Sequence, residues 1–199
     1  MFIAIEGLDG TGKSTLVSAL ARHLGTEPLR TPDSAFAPVR LVADQHLSTS
    51  PRAHTLFYAT MVQYASDAAR QKVSRGEHVL VDRYWSSTVA YDLVFRRSGL
   101  PFDELAEGLF RPDITIFLEA SLEVRRHRIL GRGVTSPEDA RGLDPDRDAR
   151  LCAAYDLALV GPHVGELVRL NVEGATPADV LRMAVNHIDS DFALRETLH

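Results

Sequence analysis

One cysteine, Cys152, serves the whole chain of 199 residues. That rules out an intramolecular disulfide and a zinc site built from cysteines, and it suits a reducing compartment. A basic surplus is missing as well: 22 Lys and Arg stand against 27 Asp and Glu, for a net charge of -5. A protein whose main partner is a nucleic acid polymer carries the opposite balance. Long apolar runs are also lacking. The first residues, Met1 to Ile5, are apolar but meet Glu6 at once, which is too short for a signal peptide or a membrane span. No internal repeat or low-complexity stretch breaks the chain. These absences read as a single cytoplasmic domain over 1–199 that engages neither a membrane nor a nucleic acid polymer. What is present is ordinary for a globular protein: 45% hydrophobic residues, enough for a full core, and 25% charged.

Apolar runs and helical spacings alternate along the chain. Phe2 to Glu6, His78 to Val81, Ile114 to Leu118 and Leu167 to Leu170 read as strands, and Glu27 to Arg30 as a weaker one containing a proline. Ser14 to Leu24, Pro51 to Arg75, Trp85 to Arg96, a segment opened by Ser121, Asp146 to Leu159, and Thr176 to His187 read as helices. Gly131 to Asp144 carries three glycines, a proline and charges of both signs, the composition of a mobile surface segment. Residues from about Asp189 onward read as a frayed tail. The alternation predicts an α/β fold with a mostly parallel sheet, helices on both faces, and ligands at the carboxyl ends of the strands.

Two motifs carry chemistry. Gly7-Leu8-Asp9-Gly10-Thr11-Gly12-Lys13-Ser14 fits G-x-x-x-x-G-K-[ST], between a predicted strand and a predicted helix. Backbone N–H groups and the positive helix end would cradle phosphates, Lys13 would reach the outer ones, and Ser14 would ligate magnesium. A chance match in a chain this long is roughly one in a hundred. The second motif is Asp82-Arg83-Tyr84-Trp85-Ser86-Ser87-Thr88-Val89-Ala90-Tyr91, which follows the strand at 78–81. Asp82 at a strand's carboxyl end is positioned to hold magnesium through water. Arg83 beside it calls for an anion, and a phosphate is the natural one.

Together, residues 5–15 and 82–91, with Leu56-Phe57-Tyr58-Ala59 and Arg111-Pro112-Asp113, resemble the thymidylate kinase family from residue 2 to about 133. The resemblance implies a P-loop NTPase fold with a five-stranded parallel sheet, a homodimer, ATP with Mg2+, and a small nucleotide acceptor. It implies that Gly7, Asp9, Gly10, Thr11, Gly12, Lys13, Ser14, Thr15 and Arg128 bind the triphosphate, with Ser14 and Asp82 on the metal. It implies catalytic roles for Lys13, Arg83, Asp9 and Arg132. Acceptor contacts would come from Asp9, Phe57 (stacked on the base), Met61, Arg83 (on the phosphate), Ser87, Thr88 and Tyr91. The segment 131–144 would then be a lid. Gly10 stands where some members carry an arginine, so a loop arginine should be tolerated, with lid cations such as Arg128, Arg132 or Arg141 supplying the charge. By composition alone, Arg125, Arg126 and Arg128 read as a solvated basic helix face.

The match breaks on the acceptor side. Arg30-Thr31-Pro32-Asp33-Ser34 lacks the family's acidic residue and glycines, Met61 stands where an arginine reads a base carbonyl, and Asp92 replaces a glutamine. Methionine donates no hydrogen bond, so base reading should weaken. The acceptor is therefore expected to be dTMP or a related deoxynucleotide, one with a modified base included. Two other readings stay open. A hydroxyl-acceptor kinase would need a carboxylate base, for which Asp9, Asp33 and Asp92 are candidates. A regulatory protein would bind ATP without transfer.

Overall fold

The computed structural model describes residues 1–131 and 143–196, with side chains through residue 190. Arg132, Arg141 and most of the expected lid lie outside the described residues. Five strands form one sheet: β1 (Phe2–Gly7), β2 (Leu29–Arg30), β3 (Val79–Asp82), β4 (Ile114–Glu119) and β5 (Glu166–Asn171). Their order is β2-β3-β1-β4-β5 and every pairing is parallel. In this register Ile5 lies beside both Asp82 and Ile116, so the phosphate motif and the Asp82-Arg83 motif leave neighbouring strands at the same edge.

Alternate residues of β1 feed two cores. Phe2 and Ala4 face one layer with Val62, Ala69, Trp85, Val89, Leu151 and Tyr155. Ile3 and Ile5 face the other with Leu16, Leu20, Val180, Ala184 and Ile188. A strand buried on both faces must be apolar at every position, which is why these runs do not alternate with polar residues. The first layer is built by α3 (Pro51–Ser74), α4 (Trp85–Tyr91) and α7 (Pro145–Ala158), the second by α1 (Lys13–Leu24) and α8 (Pro177–Glu196).

Several boundaries differ from the sequence expectation. The helix expected to end at His187 continues to Glu196, through the stretch expected to fray, and no glycine or proline interrupts it. The helix expected over 85–96 ends at Tyr91 and passes into a π-helical turn, Asp92–Arg96, closed by Arg97 at φ 52°. Two short helices lacked a clear periodic signal, α2 (Ala37–His46) and α5 (Phe102–Ala106). The remaining helix, α6 (Leu122–Leu130), is capped by the Ser121 hydroxyl as its sequence implied.

Candidate functional site

The phosphate loop runs from the end of β1 into α1. Gly12 caps α1 in the left-handed region (φ 101°) and has no side chain to occupy the first N–H groups, so the helix presents open donors. Gly10 is the tight point. At φ +83°, a Cβ there would come within 2.8 Å of the Arg125 carbonyl oxygen and 2.9 Å of its Cβ. The expected tolerance for arginine at this position is therefore overturned, because the loop lies directly on α6. Gly10→Arg should lower the melting temperature by several degrees and weaken ATP binding, a backbone and packing cost of about 1–3 kcal/mol. A thermal melt and an ATP titration check this.

Lys13 is buried, and its ammonium donates to the Leu8 carbonyl at 2.7 Å and lies 3.8 Å from Asp9. Burial first, and the Arg83 charge second, pull its pKa down to about 7. Thr11 turns its hydroxyl inward, donating to Leu8 O at 2.8 Å. Ser14 lines the cavity, while Thr15 is exposed and does not.

Arg83 occupies the left-handed region at φ 67°, unusual for a side chain of its size. That turn sends the guanidinium back under the loop. It pairs with the Asp9 carboxylate, donates to Gly7 O at 3.3 Å, and reaches Ser87 Oγ and Tyr155 Oη, each at 3.2 Å. The Tyr91 hydroxyl donates to the other Asp9 oxygen at 2.9 Å. Burial alone would raise the Asp9 carboxyl. Arg83, and then Lys13, overcome it and hold the group well below the usual carboxylate range.

Glu6 closes the arrangement from beneath. Its carboxylate accepts from the N–H groups of Tyr84 (2.9 Å) and Ser87 (3.1 Å) and from the Ser87 hydroxyl. The first turn of α4 has no cap of its own, so Glu6 supplies one from the neighbouring strand. Burial raises its pKa, opposed by these hydrogen bonds.

These groups border one cavity of about 590 Å³, lined by Asp9, Gly10, Lys13, Ser14, Asp82, Arg83, Ser87, Thr88 and Tyr91 among others. It extends to Arg40, Asp44, His54, Tyr58 and Arg96 at its other end. Ser14 and Asp82 offer it a hydroxyl and a carboxylate, hard oxygen donors that fit magnesium. Among the described residues no group of three or more His, Cys, Asp or Glu could hold a metal, so such an ion would take its remaining ligands from phosphate and water.

The thymidylate kinase family model matches residues 5–154. The chain belongs to the thymidylate kinase family. A thymidylate kinase of Bdellovibrio bacteriovorus is 30% identical over 161 residues, covering 74% of this chain and 75% of that one. One of Xylella fastidiosa is 33% identical over 145 residues, 68% of each. A solved thymidylate kinase from Candida albicans shares the fold at TM-score 0.72, with 22% identity over 96% of this chain and 91% of that one.

Within that family frame the structure bears on three expectations. Phe57 and Met61 are not among the cavity's lining residues. Met61 is 7% exposed inside the core, and the half-buried Phe57 packs edge-on against Tyr58 at 5.5 Å. Successive helical residues are turned by about 100°, and α3 is rotated so that His54 and Tyr58, four apart, face the cavity instead. The basic face of α6 is not uniformly solvated. Arg125 is 2% exposed, pairs with Asp148 on α7, and donates to Ala120 O at 3.1 Å and Asp9 O at 3.5 Å. Arg128 is not among the cavity-lining residues: it donates to Thr11 O at 3.1 Å and Val172 O at 2.9 Å, bracing the loop from outside. Tyr155, fully buried beneath Arg83, gave no signal in the sequence, since α7 carries no motif.

Proposed function

We propose that this chain transfers the γ-phosphoryl group of ATP to dTMP. The observation that carries the reading is one cavity joining the phosphate-loop lysine to the Arg83–Asp9–Tyr91 cluster. A nucleotide's phosphate has a second pKa near 6, so it is mostly dianionic at neutral pH and attacks without a general base. The site fits that economy. Asp9, engaged by Arg83 and Tyr91 and held strongly acidic, is a poor proton acceptor. Asp92 is buried and bonded to Thr55 and Ser98, and Asp33 caps the turn Ser34–Phe36. None of these three carboxylates is free to serve a hydroxyl acceptor as its base.

Gly7, Asp9, Gly10, Thr11, Gly12, Lys13 and Ser14 would form the triphosphate cradle, with Thr15 following them in the first turn of α1 and Arg128 bracing the loop. Lys13 would neutralise the outer phosphates and Arg83 would orient the acceptor phosphate. Ser87, Thr88 and Tyr91 would flank the acceptor. Arg132 is the candidate to cover the transferring group from the segment that follows α6. Magnesium on Ser14 and Asp82 would supply charge neutralisation across the phosphate oxygens. We also place the enzyme in the cytoplasm as a homodimer. Val39, Leu41 and Val42 on α2 are 52–72% exposed, and Leu56 and Tyr64 on α3 are 43% and 53% exposed, apolar side chains that would suit contact with a second copy. No helix among the described residues is long and apolar enough to cross a membrane.

Lys13 should make ATP binding pH-dependent. Its pKa is about 7 in the free protein, and phosphates beside it would raise that value. Between about pH 7 and 10 the complex then holds more proton than the free protein, so affinity falls as pH rises through that window, by up to tenfold per unit. Calorimetry at pH 8 in buffers of different ionisation enthalpy should show proton uptake, and none would contradict it. The function itself is tested by steady-state kinetics over nucleosides and nucleoside monophosphates, with dTMP expected to lead and nucleosides to give no turnover.

A further inference from the structure

The far end of the cavity holds two arginines with different surroundings. Arg40 is the more open of the two, its side chain 39% exposed, with Nε shared between Asp44 (3.3 Å) and Tyr58 Oη (3.2 Å). Arg96, on the π-helical turn, is only 11% exposed and held from several sides. Its Nε donates to Thr55 Oγ1 at 3.0 Å, its Nη2 donates to Thr88 O at 3.1 Å, and its guanidinium carbon lies 4.8 Å from the centre of the Tyr58 ring. Nη1, with two N–H groups, makes no hydrogen bond among the described residues.

We propose that Arg96, fixed over Tyr58, reads a ring carbonyl of the acceptor base. The inference rests on the dTMP kinase reading and assigns its base-recognising donor. Asp92 lies 3.7 Å from Nε, which leaves the two N–H groups of Nη1 to meet a ligand oxygen. The polar groups that α3 turns to the cavity are committed elsewhere. The Tyr58 hydroxyl donates to Asp44 Oδ1 at 2.8 Å, His54 Nε2 lies 2.8 Å from the same oxygen, and Met61 has no donor. An aromatic wall joins the two ends of the cavity: Tyr91 is bonded to Asp9, its ring lies 5.7 Å from that of Phe95, and Arg96 follows directly. An acceptor phosphate at Arg83 would then place its base along this wall. A buried, preorganised donor penalises any base that leaves it unpaired.

The same contacts could serve only to fasten the π-helical turn to α3, and the test separates the two roles. The wild type, Arg96→Met and Arg96→Lys are assayed at saturating ATP with dTMP and with two analogues, each lacking one ring carbonyl. In the wild type one analogue should lose about 10–100-fold in kcat/KM. Arg96→Met should lower dTMP by a similar factor, mainly through KM, leave that analogue's rate unchanged, and keep the KM for ATP. Arg96→Lys retains a charge beside Asp92 without the planar fork, so its discrimination should fall part-way, and it keeps the test usable should the methionine variant not fold. Equal losses for dTMP and both analogues, or a wild type indifferent to both carbonyls, overturns the proposal. Failure of the underlying reading shows separately, as a wild type that does not turn over dTMP at all.

Discussion

Lys13→Met should reduce phosphoryl transfer by about a thousandfold or more and leave the fold intact. In the proposed reading the ammonium neutralises the outer phosphates, and a charge acting in a closed, low-dielectric site is worth several powers of ten in rate. The fold should survive because the free protein gains little from this charge. Burial and Arg83 already depress its pKa to about 7, so an apolar side chain of similar length removes a desolvation cost. The melting temperature should stay level or rise while turnover collapses. Turnover within tenfold of the wild type would remove Lys13 from the mechanism.

Arg83→Met should lower kcat/KM for dTMP by about a hundred- to a thousandfold, with a much smaller change in the KM for ATP. Arg83 bonds Gly7 O, Ser87, Tyr155 and Asp9 at once, a geometry that only the planar five-donor guanidinium can satisfy. Arg83→Lys should therefore recover little. Both variants keep a non-glycine residue at φ 67°, so neither changes the backbone strain and the comparison isolates the head group. Loss of this cation also frees Asp9 to titrate nearer its ordinary range. Steady-state kinetics with each substrate varied in turn would reveal the asymmetry, and equal losses toward ATP and dTMP would contradict an acceptor-side role.

The phosphate side was legible in the sequence because its information is local. Strand, glycine turn and helix follow one another within Phe2–Leu24, and each step has its own residue signature. Asp82 and Arg83 were equally readable, since a charged pair closing an apolar run implies a strand end facing a ligand. The supporting shell was not. Arg125 is made a core residue by Asp148, 23 positions away, and Tyr155 meets Gly7 across 148 positions, distances over which residue spacing says nothing. Glu6 gave the one available hint, a carboxylate closing a buried run, which obliges it to find donors.

The base end shows a different limit. The resemblance put Phe57 on the acceptor, and residue spacing alone leaves that placement open, because the rotation of a helix about its own axis is set by what its far side packs against. Val62, Ala65 and Ala69 are buried on α3, and with that stripe turned inward, His54 and Tyr58 are the residues left facing the cavity. Likewise, the helix expected to run straight through Arg96 breaks into a π-helical turn, and that turn brings Arg96 over Tyr58. Neither arrangement has a local signature, so the departures at Met61 and Asp92 marked the acceptor side as different without saying which residues would face it.

The most direct test follows the phosphoryl group itself. The purified chain is incubated with magnesium, dTMP and ATP labelled at the γ-phosphate, and the products are separated. Label on the terminal phosphate of dTDP, dependent on dTMP and lost in Lys13→Met, is the expected result. Label that stays in ATP, or passes to inorganic phosphate whether or not dTMP is present, would contradict the assignment.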